Sequence, residues 1–215
     1  MQKCFTLDDL QELDKYYRRH LLNSISGMKS ANLVGTLSSH GVANLSMFSS
    51  VVHVGASPPL LGMVMRPLTV ERQTYEYIKA QEGRYTLNHV HQKWIDSAHL
   101  CSAKFDRDTS EYDECKLTET YLDDFPIPFV GEATIRMGMQ LVEEHPIASN
   151  GTIFLVGAVQ SLHLDTALIR DDGNIDMSAA GAVAISGLET YYDVRPRAHF
   201  AFARPGQWPT NTLTG

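Results

Sequence analysis

The chain has little cysteine: Cys4, Cys101 and Cys115, with no CxxC or CxxxC spacing. An odd count without that spacing argues against a disulfide framework and against a structural zinc site. No apolar run approaches the ~18 residues that a membrane-spanning helix needs. The N-terminal MQKCFTLDDLQELDKYY carries acids where a secretory signal would have its apolar centre. These absences read as a soluble, cytoplasmic protein with no membrane partner. Basic charge is also short, with 18 Lys and Arg against 25 Asp and Glu and a net charge of −7. A nucleic-acid partner would call for the opposite balance or a basic stripe. The densest basic spot, Tyr16-Tyr17-Arg18-Arg19, lies beside Asp8, Asp9, Glu12 and Asp14 and reads as a solvated helix face.

Several chemistries lack their motif. There is no GxGxxG for a Rossmann dinucleotide site and no GxxxxGK[ST] for a P-loop. HExxH, GxSxG and an EF-hand loop are missing too. His89-Val90-His91 has a spacing that can put two ligands on one strand face, but without a third ligand nearby it reads as a polar strand–helix boundary. His53, His99 and His145 stand alone, so no metal site and no catalytic side chain is assigned. Cys101 and Cys115 read as buried free thiols, with a redox role as the alternative.

What is present is an average globular composition, 43% hydrophobic and 20% charged, which rules out a disordered, collagenous or coiled-coil chain. The 215 residues suit a single domain. Leu7, Leu10, Leu13, Tyr17 and Leu21 predict one amphipathic helix over 6–23, capped by Thr6. Residues 31–48 predict a hairpin about Ser39-His40-Gly41. Pro58-Pro59 opens a strand, 60–65, whose unbroken apolar run implies burial on both faces. Helices are predicted over 70–81 and 91–100, with a strand over 84–90 between them. Residues 101–132 read as a long irregular loop, of the kind that is more often functional than idle. Two long strands, 133–144 and 151–164, flank Asn150-Gly151, a hairpin signal. Residues 166–177 read as a polar excursion, a last short strand follows near Tyr191-Tyr192, and 204–215 reads as a loose tail. The sum is a mainly β, closed or nearly closed antiparallel barrel with helices packed outside.

Two stretches offer polar groups where apolar ones are expected. In Asn44-Leu45-Ser46-Met47-Phe48-Ser49-Ser50, Asn44 and Ser46 share a strand face and a serine pair follows. Hydroxyls and backbone there suit the polar edge of a flat ring or a phosphate; a Ser-rich strand end is the equal alternative. At the end of the buried strand, Arg66 offers a planar fork for phosphate, with Thr69 and Thr74 close by and a helix start just beyond. The alternative is an arginine that caps a loop through carbonyl bonds.

The segments KSANLVGT (29–36), GVANLSMFSSVV (41–52), SPPLLGMVMRP (57–67), TYEYI (74–78) and GLETYY (187–192) resemble, in this order, the flavin reductase-like family, in a subgroup near flavoredoxin. The resemblance implies a six-stranded antiparallel split β-barrel with peripheral helices, a homodimer, and FMN near the subunit interface. It places Asn44 near the flavin, and Leu45, Ser46, Met47, Ser49 and Ser50 along the ring and ribityl chain. Arg66, Thr69 and Thr74 fall in the phosphate region, Lys104 in a loop that approaches the flavin, and Tyr191 at an aromatic position beside the ring. Many relatives carry DTxxNI where this chain has Gln73-Thr74-Tyr75-Glu76-Tyr77-Ile78, and some carry Trp where Ser50 aligns. The implied function is NAD(P)H-dependent flavin reduction, with NADH or NADPH as donor. The alternatives are an FMN electron carrier served by a protein partner, and a flavin-binding protein without turnover.

Overall fold

The computed structural model describes residues 2–213; Met1 and the last two residues of the expected tail, Thr214 and Gly215, lie outside the described residues. The N-terminal segment forms two helices, α1 (Leu7–Glu12) and α2 (Lys15–Ser24), where a single helix over 6–23 was expected. Leu13 is extended, and the Asp14 carboxylate accepts from the N–H groups of Tyr16 and Tyr17, so a new cap interrupts the apolar periodicity.

The strands that follow are β1 (Lys29–Ser30), β2 (Asn32–Leu37), β3 (Ala43–Phe48), β4 (Val52–Ala56) and β5 (Pro59–Met65). The β2–β3 hairpin is the expected one. Gly41 turns it at a φ of 84°, and Ser38 Oγ accepts from the Val42 N–H at 2.9 Å. Strand β4 is not among the strands expected from the sequence. Next come α3 (Gln73–Ala80), β6 (Arg84–His89), a 3₁₀ turn at 92–94 and α4 (Ile95–Leu100). Then follow α5 (Glu111–Glu114), β7 (Glu119–Thr120), β8 (Phe129–Val130), β9 (Ile135–Ile147) and β10 (Thr152–Leu164). The chain ends with β11 (Val183–Ser186) and β12 (Thr190–Asp193).

Seven strands, rather than six, form the main antiparallel sheet in the order β3-β2-β6-β9-β10-β5-β4. Its two margins, β3 and β4, are consecutive in the chain. A smaller sheet, β1-β11-β12, and a β7-β8 pair stand beside it. One core face holds Val34, Met63, Met65, Ile78, Tyr85, Leu87, Met139 and Leu155. The other holds Leu33, Leu45, Val90, Tyr112, Val130 and Ile185. Strand β5 is not buried on both faces: Met63 and Met65 are, whereas Val64 between them is 39% exposed.

The expected loop at 101–132 holds α5 and the β7–β8 pair, and part of it is interior. Tyr112, Cys115, Leu117, Ile127, Phe129 and Val130 are buried. Its backbone is accepted there because remote side chains complete it. Thr86 Oγ1 donates to the Pro128 carbonyl at 2.8 Å, and the Val130 N–H donates to Asn88 Oδ1 at 3.0 Å. Gly35 permits this approach, since a Cβ there would meet Thr86 Oγ1 and lie 2.7 Å from the Pro128 carbonyl. Towards the tail the chain folds back on itself, with Phe200 bridging Asn211 and the Thr212 N–H donating to the His199 carbonyl at 2.8 Å, while Phe202 and Trp208 stay exposed.

Candidate functional site

Side chains alternate across β3, so Asn44, Ser46 and Phe48 face one side and Leu45 and Met47 the other. Helix α3 packs over the first side, against β2 and β3. There Thr74, the second residue of α3, donates from Oγ1 to Ser46 Oγ at 2.8 Å. Two residues far apart in the chain, both singled out from the sequence, thus meet. Asn44 is 3% exposed, and its Oδ1 accepts from Thr36 Oγ1 at 3.1 Å. Leu45 is fully buried, and its N–H donates to Glu111 Oε2 at 3.1 Å. Neither Asn44 nor Leu45 presents a free group to a ligand; they hold the strand. Met47 packs on the core beneath.

Beyond β3 the hydroxyls are better placed. Ser50 Oγ accepts from the Val64 N–H at 3.0 Å and donates to the Val64 carbonyl at 3.3 Å, tying the link after β3 to β5. The half-buried Ser49 makes no side-chain hydrogen bond among the described residues.

Arg66 leaves the end of β5 exposed, and Thr69 lies in the turn that follows. Among the described residues no carboxylate pairs with Arg66, Arg72 or Arg19. Partial desolvation, then repulsion from Arg72 and Arg19, holds the Arg66 guanidinium below its usual range. Arg72 is the N-cap of α3 and gives no side-chain cap bond; its Nε donates instead to the Pro67 carbonyl at 3.2 Å. The first turn of α3 therefore has uncapped N–H groups beside clustered cations. That arrangement fits a phosphate. Sequence reasoning missed Arg19 and Arg72. The signal for Arg72 was available: an arginine, not Ser, Thr, Asp or Asn, precedes the helix.

Neither Lys104 nor Tyr191 hydrogen-bonds any of these groups among the described residues. Lys104 is an exposed residue after α4. The Tyr191 hydroxyl meets His99 Nδ1 at 3.1 Å with the rings edge to face, and burial pushes its pKa up to about 12. The thiols are free, with Cys4 exposed and Cys101 and Cys115 buried. A cleft of about 360 Å³ lies between α2 and β12, lined by Tyr17, His20, Leu21, Ser24, Thr190 and Tyr192 among others; Ser46–Ser50 and Arg66 do not line it. Among the described residues no helix is long and apolar enough to cross a membrane.

Residues 28–176 match the flavin reductase like domain family. The chain belongs to the flavin reductase-like family. A flavin reductase-like structure from Shewanella frigidimarina, described as a flavin reductase with a split barrel domain, is 43% identical at a TM-score of 0.89, covering 94% of this chain and all of its own, 100%. Nitrilotriacetate monooxygenase component B from Bacillus cereus is 20% identical at a TM-score of 0.80, with 93% and 98% coverage. Flavoredoxin from Methanosarcina acetivorans is 18% identical at 0.71, with 96% and 98% coverage. The last two likenesses concern the fold. The flavin reductase-like fold here has a sheet of seven antiparallel strands.

Proposed function

We propose that this protein is an FMN-dependent NAD(P)H oxidoreductase. The observation that carries the reading is the uncapped N-terminus of α3 beside Arg66, Arg72 and Arg19, cations without a carboxylate partner among the described residues. In this reading the helix start, Arg66, Arg72, Thr69 and Thr74 hold the FMN phosphate. Ser46, Ser49 and Ser50 line the ribityl chain and the polar ring edge. The bound flavin supplies the chemistry, accepting hydride from the nicotinamide of NADH or NADPH. The protein's task is to bind, orient and exclude water. No side chain has to move a proton in that step, which agrees with a site made of hydroxyls and cations.

The active unit we infer is a homodimer in the cytoplasm. Strand β4 supports the first part: it is a sheet margin with Val52 and Val54 49% and 44% exposed, next to Val64. A second copy on that face would lie beside the serine pair, Ser49-Ser50, that links β3 to β4.

Likeness to a flavoredoxin supports a second reading, an FMN carrier that a protein partner reduces. Stopped-flow mixing of the FMN-loaded protein with NADH and NADPH decides between them. Rapid bleaching of the visible flavin band supports the oxidoreductase, and reduction by dithionite alone supports the carrier. A protein that neither carries nor takes up FMN refutes both.

A further inference from the structure

Glu111 is a buried carboxylate that the proposed chemistry does not use. It is 3% exposed, and no ion pair among the described residues includes it. Tyr77 of α3, Tyr112 and Cys115 of its own segment, and Cys101 after α4 all feel its charge, and none of them is a cation. Such a group costs stability unless something is gained from it.

Its position shows what is gained. Strand β3 is a sheet margin whose inner edge pairs with β2. Helix α5 lies along its outer edge. The Glu111 carboxylate reaches across 66 residues of sequence to accept the Leu45 N–H at 3.1 Å, and the neighbouring Asn44 side chain favours its charged form. Asn44 in turn accepts from Thr36 Oγ1 on β2. One hydrogen bond thus ties β2 to β3 at Asn44 and the next ties β3 to α5 at Leu45, immediately before Ser46, Ser49 and Ser50. An unpaired N–H at this buried edge would keep its full desolvation cost, which is why an acceptor belongs here.

We propose that Glu111 is a positioning residue of the cofactor site: its carboxylate pins the outer edge of β3 at Asn44–Leu45 and so fixes the strand that presents Ser46, Ser49 and Ser50. The consequence for cofactor rests on the flavin reading above; the pin itself does not.

Two substitutions separate acceptor from charge. Glu111→Asp keeps the charge but withdraws the oxygens by one methylene, beyond reach of the Leu45 N–H. Glu111→Gln removes the charge but keeps a carbonyl oxygen at the same reach. Its amide N–H₂ can then serve Asn44 Oδ1 once that side chain turns over and donates to Thr36.

The readouts are amide hydrogen exchange of the apoprotein by NMR, and FMN titration with the quenching of bound-flavin fluorescence as a spectroscopic signature. For Glu111→Asp we expect exchange at Leu45 to accelerate by about tenfold or more, the factor that one lost hydrogen bond to a charged group represents. Residues 84–89 and 135–141 stay protected, FMN affinity falls and the quenching changes. Glu111→Gln retains both the protection and the wild-type flavin signature.

Three results overturn the pin: Leu45 unchanged in Glu111→Asp, Glu111→Gln as open as Glu111→Asp, or all strands losing protection together. Equal FMN affinity and quenching in both variants, with β3 opened in only one, overturns its role toward the cofactor. If β3 opens as expected but wild-type protein takes up no FMN, the pin is upheld and the flavin reading fails.

Discussion

Replacing Arg66 by alanine tests the phosphate seat because apoprotein stability should hold while FMN affinity falls. In the free protein Arg66 has only repulsion from Arg72 and Arg19 and no carboxylate to lose. Removing it should leave the apoprotein's stability within about 0.5 kcal/mol of wild type, as for an exposed charge without a partner. With FMN bound, the same side chain gives a charge-assisted hydrogen bond to phosphate. Its loss should cost about 1.5–3 kcal/mol, or roughly 10–150-fold in Kd. Riboflavin supplies the control, since it has the ring and ribityl chain without the phosphate. We expect Arg66→Ala to weaken FMN by that factor and to leave riboflavin affinity unchanged, measured by flavin fluorescence titration with a thermal melt of each apoprotein. Raising the salt concentration should weaken FMN more in wild type than in the variant. Unchanged FMN affinity, or an equal loss for riboflavin, would remove the guanidinium from the phosphate seat.

The same structure makes three other predictions. Gly35→Ala should lower stability by about 1–3 kcal/mol in urea denaturation, because the added methyl group meets Thr86 and the Pro128 carbonyl; wild-type stability would show that the 128–130 segment yields easily. Burial raises the Glu111 pKa above its ordinary 4.5. Its contribution is therefore fully present below that pH and is lost as pH rises through the folded value. Compared with Glu111→Gln, wild type should be relatively most stable near pH 4 and lose ground toward pH 7; a difference that does not vary with pH refutes this. Val54→Asp on β4 should convert a dimer to monomer in sedimentation velocity, and a variant that sediments like wild type would exclude that face as the interface.

Local chemistry explains which parts of the fold were legible in the sequence. The β2–β3 hairpin declares itself through Ser39-His40-Gly41, and the β9–β10 hairpin through Asn150-Gly151, where Gly151 turns at a φ of 72°. Single-helix periodicity over 6–23 misled because one capping residue, Asp14, outweighs the apolar spacing around it. Strands β4 and β11 are short and lie among Ser and Gly, and pairing makes them strands, β4 with β5 and β11 with β1 and β12. Residues 101–132 have no periodicity, and their burial depends on Thr86 and Asn88, which nothing nearby in the sequence announces. At the site, the Ser46 and Thr74 segments stood out as polar residues at the ends of apolar runs. Glu111 did not, because Glu-Tyr-Asp-Glu reads as any solvated acidic turn until α5 is laid along β3.

Only residues 49–51 separate β3 from β4, yet these strands form opposite margins of a seven-stranded sheet. From Phe48 to Val52 the chain can span at most about 14 Å. Laid flat, six strand spacings would hold the margins roughly 29 Å apart. So short a tether forces the sheet to curl until its margins come within half that width, and it keeps the serine pair at the seam where they converge. Lengthening this connection by a few residues would release the curvature and splay the seam, while leaving every strand free to pair as before.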